Sequence, residues 1–389
     1  MKMATKQEVL KDKLGEYLKS SKGGKSQLLC ELASITGMHR QAIIRRMSVL
    51  SGREEFWQPK HPGRKEIYGP RVIEALRELW EMANNICAER LHPQIPEYIA
   101  VLKCFGDWSY PADTTRFLLQ MSLGTMKAKL LHFPRFHAQT GFGSTKPSEL
   151  KELVPIRAGS WDNPDPGFGE VDTVAHCGTT LRGDYAYTVQ YTDVSILWVL
   201  LSAQWNKGML ATKQSLISMQ KRCPFKILGF DFDSGAEFIN QQVIYYLKES
   251  GIAPTRIRPG RKNDHGRIEQ KNYANIRQFV GYLRYGHPDC VTILNELYIV
   301  LEDYINFFLP SAKCIRKERT GSRYKRKYDT AQTAYARVLA HPKIPFAVKQ
   351  KLKNKYATLN PKKLKAEVGR LQRKLYKSVL KIRELIRLQ

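Results

Sequence analysis

The stretch Lys226-Ile-Leu-Gly-Phe-Asp-Phe-Asp-Ser-Gly-Ala-Glu-Phe-Ile239 decides how this 389-residue chain is read. Its first half alternates, with Ile227, Gly229 and Asp231 on one side and Leu228, Phe230 and Phe232 on the other, and that period of two predicts a strand over 225–233. Asp233-Ser-Gly235 are turn residues and end the strand. A helix is expected next, with Asn240 as N-cap, Val243, Ile244 and Leu247 on its apolar stripe and Gly251 as its stop. An acid at the end of a strand, facing a turn, is placed to hold something outside the sheet, which makes Asp233 a candidate ligand. Asp231, on the same strand face, is expected as its outer partner or a turn anchor, and Glu237 as a first-turn helix acid.

Working outward, Glu269 follows Asp233 with 35 residues between them, inside Asn263-Asp-His-Gly-Arg-Ile-Glu-Gln-Lys-Asn272. In the other direction, the strand-like Gly169-Glu-Val-Asp-Thr-Val-Ala175 carries Asp172, whose apolar neighbours Val171, Val174 and Ala175 predict a buried strand. An isolated carboxylate is costly there, which argues for a ligand. Three carboxylates on a strand, a strand end and a helix suit two-metal phosphoryl transfer, because Mg²⁺ takes a few hard oxygens and keeps positions open for water and phosphate.

These residues resemble the D,D-35-E triad of the retroviral-integrase superfamily, in particular bacterial insertion-sequence transposases with an integrase core. Asp233-Ser-Gly-Ala-Glu-Phe238 is similar to that family's Asp-Asn-Gly-Ser-Glu-Phe turn, and Lys262-Asn-Asp264 with Ile268-Glu-Gln-Lys-Asn272 resembles its Glu-bearing helix. The resemblance implies that Asp172, Asp233 and Glu269 are both the catalytic residues and the metal ligands. It implies two Mg²⁺ ions, with Mn²⁺ as a substitute, and no small-molecule cofactor. Around the triad, Lys271, Tyr273 and Arg277 are expected to meet a DNA backbone, the last two because they lie one and two helical turns beyond Glu269. His265 is a site neighbour by spacing, and Asp193 reads as a turn residue after a strand.

Between the acids the pattern predicts strands at 169–176, 184–194 and 196–203, a helix near 209–221, the strand at 225–233, another helix, and a short strand near 253–258. This order fits an RNase-H-like layer, an antiparallel trio followed by crossovers that return strands parallel to it. Cys290 to Phe308 is an apolar helix expected to close that core.

Composition bounds the rest. No run of 18 or more apolar residues suggests a membrane span, and the polar, Lys-rich first 20 residues lack the apolar core of a signal peptide. The expected location is therefore the bacterial cytoplasm, on the nucleoid. The seven cysteines are scattered with no Cys-x-x-Cys pair, which implies neither a disulfide framework nor a zinc knuckle. A net charge of +28 points to a polyanionic partner. Residues 311–389 carry 24 Lys and Arg against four Asp and Glu, so +20 of the excess sits at one end.

The flanks read as DNA-binding regions. In Leu28 to Met47, Ala33, Gly37 and Ile43 fall where a helix-turn-helix needs a small residue, a turn glycine and an apolar anchor. Its second helix would present His39, Arg40, Gln41, Arg45 and Arg46 to a major groove. Thr115 to Leu131 resembles a second such motif, its turn centred on Ser122 and Thr125, Lys127 and Lys129 on the exposed helix. In Lys313 to Tyr328, aromatics stand among Arg323, Lys325, Arg326 and Lys327, a composition suited to phosphates. The last stretch, from Pro361, has the spacing of a packing helix or short coiled coil.

The expected fold class is multidomain: an N-terminal all-α helix-turn-helix region, a central α/β RNase-H-like core and a basic, mostly helical C-terminal region. The expected boundaries are 1–56, a second helical domain at 65–135, a linker at 136–165, the catalytic core at 166–310 and the basic region at 311–389. The function this predicts is transposition: Mg²⁺-dependent cleavage at transposon ends and strand transfer into target DNA. The partners are then double-stranded DNA and a second copy of the chain, with no membrane. Two alternatives stay open, a non-catalytic helix-turn-helix regulator derived from a transposase and an RNase-H-class nuclease without strand transfer.

Overall fold

The computed structural model describes residues 3–52, 67–134, 154–155, 164–232, 237–256, 271–320 and 323–388. They form two compact units, residues 1–67 and 68–389. The first contains α1 (Met3–Asp12), α2 (Leu14–Lys19), α3 (Lys22–Thr36) and α4 (Arg40–Leu50). Lys13 separates α1 from α2. Gly37 closes α3 with φ +64°, the left-handed conformation that glycine adopts without a Cβ penalty. Leu10, Leu28, Leu29, Leu32, Ile43 and Met47 fill a small core, each side chain contributing roughly 1.5–3 kcal/mol on burial.

The second unit begins with five helices, α5 (Pro70–Met82), α6 (Ala88–Leu91), α7 (Ile95–Cys104), α8 (Ala112–Gln120) and α9 (Leu123–Leu130). A five-stranded sheet follows, β1 (Phe168–Ala175), β2 (Ala186–Asp193), β3 (Val199–Trp205), β4 (Gly229–Phe232) and β5 (Ala253–Arg256). The strand order is β3-β2-β1-β4-β5; the first three are antiparallel, and β4 runs parallel to both β1 and β5. This is the mixed arrangement expected of an RNase-H-like layer. Helix α10 (Met209–Arg222) precedes β4 and α11 (Gln241–Glu249) precedes β5, each supplying a crossover. Close approach shapes the centre of the sheet: a Cβ on Gly169 would stand 2.1 Å from the Tyr191 ring, so only glycine fits.

Helix α12 (Pro288–Phe308) lies beside β3 and satisfies its outer edge with side chains. Asn306 accepts from the Val199 N–H and donates to its carbonyl, both at 2.8 Å. Glu302 accepts from Leu201 N–H at 2.7 Å, Arg222 donates to the Leu201 carbonyl, and Asn295 bonds both backbone groups of Ala203. Beyond α12 the chain forms a hairpin, β6 (Cys314–Thr320) and β7 (Arg323–Tyr328), then α13 (Ala334–Ala340), α14 (Phe346–Thr358) and α15 (Pro361–Leu388). The basic stretch at 314–328 is thus a β-ribbon inside an otherwise helical tail. In α15, Val368, Leu371, Leu375 and Val379 are buried, and Gln372 donates to the Phe279 carbonyl. These contacts make α15 a packing helix of the same compact unit. The α5–α7 helices join it too: the Tyr98 hydroxyl donates to Phe308 O, and that of Tyr304 donates to Met82 O.

Candidate active site

Asp172 sits on β1 one residue beyond Val171, whose Cα partner in β4 is Phe232. On the other side it faces Gln190 of β2. The strand is buried as expected, but Asp172 itself is half-buried, open enough to meet a ligand. Its Oδ1 accepts from the Thr173 N–H at 2.7 Å and its Oδ2 from Asn272 Nδ2 at 2.6 Å. Two further oxygens nearby, Asn272 Oδ1 and Gln190 Oε1, are buried without a hydrogen-bond partner. Carboxylate and amide oxygens are hard donors, the class that Mg²⁺ takes directly or through water.

Asn272 owes its place to an irregular turn. Tyr273–Arg277 is a π-helix, a geometry that recurs at functional sites. The 3.6-residue period that put Tyr273 and Arg277 on one face with Glu269 does not hold across it. Tyr273 is 41% exposed, and Lys271 is half-buried. Arg277 turns inward, donating to the carbonyls of Ala175 and Gly281 and lying over the Tyr282 ring. That guanidinium braces the end of β1 instead of facing a phosphate.

Asp233, Glu269 and His265 lie outside the described residues, and among the described residues no three His, Cys, Asp or Glu side chains converge as a metal site. Asp231 is fully buried on β4 and accepts the Thr255 hydroxyl at 2.6 Å. Glu170, its Cα partner on β1, is buried as well. Glu237 differs from expectation. It precedes the Asn240 cap of α11 and is 4% exposed, where its Oε1 accepts from Thr173 Oγ1 at 3.0 Å and Lys207 Nζ at 2.7 Å. This carboxylate ties the turn before α11 to the residue next to Asp172. Asp193 is the buried anchor of the β2–β3 turn, accepting from the N–H groups of Gly167, Ser195 and Ile196; burial pushes its carboxyl up to about 6.

No family model matches the chain. It is 34% identical to the "Uncharacterized protein y4rM" of Sinorhizobium fredii over 330 residues, 84% of this chain and 93% of that one. The chain belongs to the family of that Sinorhizobium protein. Among solved structures it is similar to the catalytic core domain of BIV integrase, with 14% identity and a TM-score of 0.29 over 49% of this chain and 98% of that one. A score of that size carries no weight for fold or function.

In this member of the y4rM family the residues expected on the two recognition helices divide. On α4, Arg40, Gln41 and Arg45 are exposed and Arg46 is half-buried; Arg40 also donates to Ser26 Oγ at 2.7 Å. His39 caps the helix, its Nδ1 accepting from the Gln41 N–H. On α9, Ser122 is the N-cap and accepts from the Thr125 N–H, and its hydroxyl meets that of Thr125. Lys127 pairs with Glu89 at 2.7 Å, and Lys129 is half-buried. Of the hairpin residues, Lys325, Arg326 and Lys327 are exposed on β7, and the Arg323 side chain lies outside those described.

Proposed function

We propose that this protein is a metal-dependent DNA transposase that cleaves at the ends of a mobile element and joins them to target DNA. The observation that carries the reading is Asp172, half-buried on β1, its carboxylate held by Asn272 and the Thr173 amide, beside β4, whose last residue Phe232 is bonded to Asp233. Consecutive Cα atoms are about 3.8 Å apart, so Asp233 cannot stray far from Phe232. Asp172, Asp233 and Glu269 would hold two Mg²⁺ ions. When bound, such ions lower the pKa of an attacking water or hydroxyl and stabilise the leaving oxygen of a phosphodiester. The chain's own residues orient Asp172: Asn272 and the Thr173 amide fix its carboxylate, and Glu237 ties the turn before α11 to the neighbouring Thr173. Arg40, Gln41 and Arg45 on α4 are the side chains proposed to read the element ends, and a pair of ends requires at least two copies of the chain on DNA.

The test is incubation of purified protein and Mg²⁺ with a duplex carrying the inverted repeats that flank its coding sequence, plus a plasmid target. Joined products are expected. Asp172→Asn, Asp233→Asn and Glu269→Gln should each lower cleavage and joining by at least about 10²-fold, with end binding retained. A triad variant that keeps most of its cleavage would sink the assignment.

A further inference from the structure

The β6–β7 hairpin carries a charge arrangement that an isolated ribbon does not favour. Residues 314–328 contain seven Lys and Arg and one acid, Glu318. In the register, Arg316 stands opposite Lys327, and Lys317 opposite Arg326. Like charges directly across an antiparallel pair repel. Only Glu318 opposite Lys325 has the opposite sense, and Glu318 is shared with Arg316 of its own strand at 2.5 Å.

Nor does a core hold the ribbon. Among its described side chains, Cys314 is half-buried and all the others are exposed, with Ile315 at 57% and Tyr328 at 49%. A two-stranded ribbon without an apolar face is marginal in water. Its base, by contrast, is locked. Asp329 accepts from the Lys313 N–H at 2.6 Å and pairs with Arg337 at 2.6 Å. Arg337 also donates to Ser311 O, and Lys313 Nζ to Ser195 O at the turn between β2 and β3. The result is a cationic arm about 20 Å long, at roughly 3.3 Å per residue, fixed at one end to the unit that holds Asp172.

We infer that this hairpin is a DNA-binding ribbon that enters the major groove of duplex DNA, its cross-strand repulsion relieved by phosphates. The shape selects the partner. B-DNA's major groove, about 12 Å wide, admits a two-stranded ribbon, whereas the A-form major groove of RNA is too narrow for side chains to read. The inference deepens the proposed function by naming how DNA is held beside the site, yet it stands on binding alone, so it is tested without cleavage.

The experiment uses the full chain with Asp172→Asn, so that no product forms, and a random 30-base-pair duplex followed by fluorescence anisotropy across a salt series. Lys325→Gln, Arg326→Gln and Lys327→Gln together should reduce the salt slope by about two to three, at roughly 0.9 for each phosphate no longer neutralised, and weaken binding on the order of 10²-fold at 0.15 M salt. The thermal midpoint should not fall, because the variant removes repulsion. A control removes the same charge from exposed lysines elsewhere, Lys351→Gln, Lys353→Gln and Lys363→Gln, and should change the slope by less than one. Equal effects of the two triples would mean diffuse attraction and overturn the proposal. So would a larger effect of the hairpin triple on single-stranded DNA, duplex RNA or anionic vesicles than on duplex DNA. A failed cleavage assay with an intact slope effect would overturn only the transposase reading.

Discussion

At the scale of single residues, the chemistry next to Asp172 depends on which groups stay neutral and which stay charged. Glu237 sits in a nearly closed space with Lys207 Nζ and the Thr173 hydroxyl as its partners, and removing either would take away one of its contacts there. His176, just past β1, takes the other course. It is fully buried, its Nε2 meets Thr188 Oγ1 at 2.6 Å, and its Nδ1 has no partner. A second ring proton would find no acceptor there. Burial, reinforced by the positive Arg277, therefore holds its pKa well below the usual value. In the unfolded chain it titrates near 6.5, so the unfolded state binds the extra proton below that pH and the folded state does not. The stability from the neutral ring is full above about pH 6.5 and is lost as pH falls toward the folded pKa, by up to roughly 1.4 kcal/mol per pH unit. Asp193, raised by burial, acts in the opposite sense between about pH 4 and 6. Comparing urea unfolding of the wild type with His176→Gln between pH 5 and 7.5 cancels that term. The gap between them should narrow as pH falls, and a gap independent of pH would contradict a neutral buried ring.

At the scale of elements, the α12–β3 pairing decides whether the β3 edge of the sheet is open. Asn295, Glu302 and Asn306 stand seven and four residues apart on one face of the helix and bond successive outward-facing backbone groups of β3, as a sixth strand would. Such covering is how edges are kept from pairing with other chains. Glu302 matters most, because it is 7% exposed and also pairs with Arg222 at 2.9 Å, burial raising its pKa and Arg222 opposing the rise. Glu302→Ala leaves the Leu201 N–H and the Arg222 guanidinium uncompensated and should cost about 3–5 kcal/mol. Asn295→Ala, at a half-buried position, should cost less, about 1–3 kcal/mol. Chemical unfolding and light scattering at matched concentration test this: Glu302→Ala is expected to lower the midpoint further and to increase association. Equal, small losses for both variants would mean that the edge is not held by these side chains.

At the scale of the whole molecule, what the sequence made legible follows from which physical rule governed each stretch. Gly37 announced its turn because a left-handed residue favours glycine, and the strand order followed from the alternation of strands with crossover helices. The alternation around Phe230 marked β4, although that strand is buried on both faces. Asn272 and the inward turn of Arg277 were not legible, since a spacing of 3.6 residues predicts a regular helix and the chain adopts a π-helix there. The hairpin escaped as well, because a ribbon solvated on both faces has no apolar period to detect. Glu237 was hidden for a different reason: its role depends on Lys207 and Thr173, distant in sequence.

The division into two units carries the remaining expectation. The core of residues 1–67 is built from its own leucines, Ile43 and Met47, and that of 68–389 from the sheet and the helices around it. Residues 68–389 alone should therefore fold, with near-UV circular dichroism and a cooperative thermal transition. Of the two helices expected to read DNA, α4 keeps Arg40, Gln41 and Arg45 at the surface, whereas on α9 Lys127 is paired and Thr125 is engaged with the cap. Sequence reading should consequently reside in the first unit. The shortened chain should bind random duplex with an unchanged contribution from the hairpin triple, while its preference for the element ends collapses, each hydrogen-bonded base edge being worth roughly 1–3 kcal/mol of discrimination. If it instead kept the preference of the full chain, α9 would be the reader and the assignment to α4 wrong.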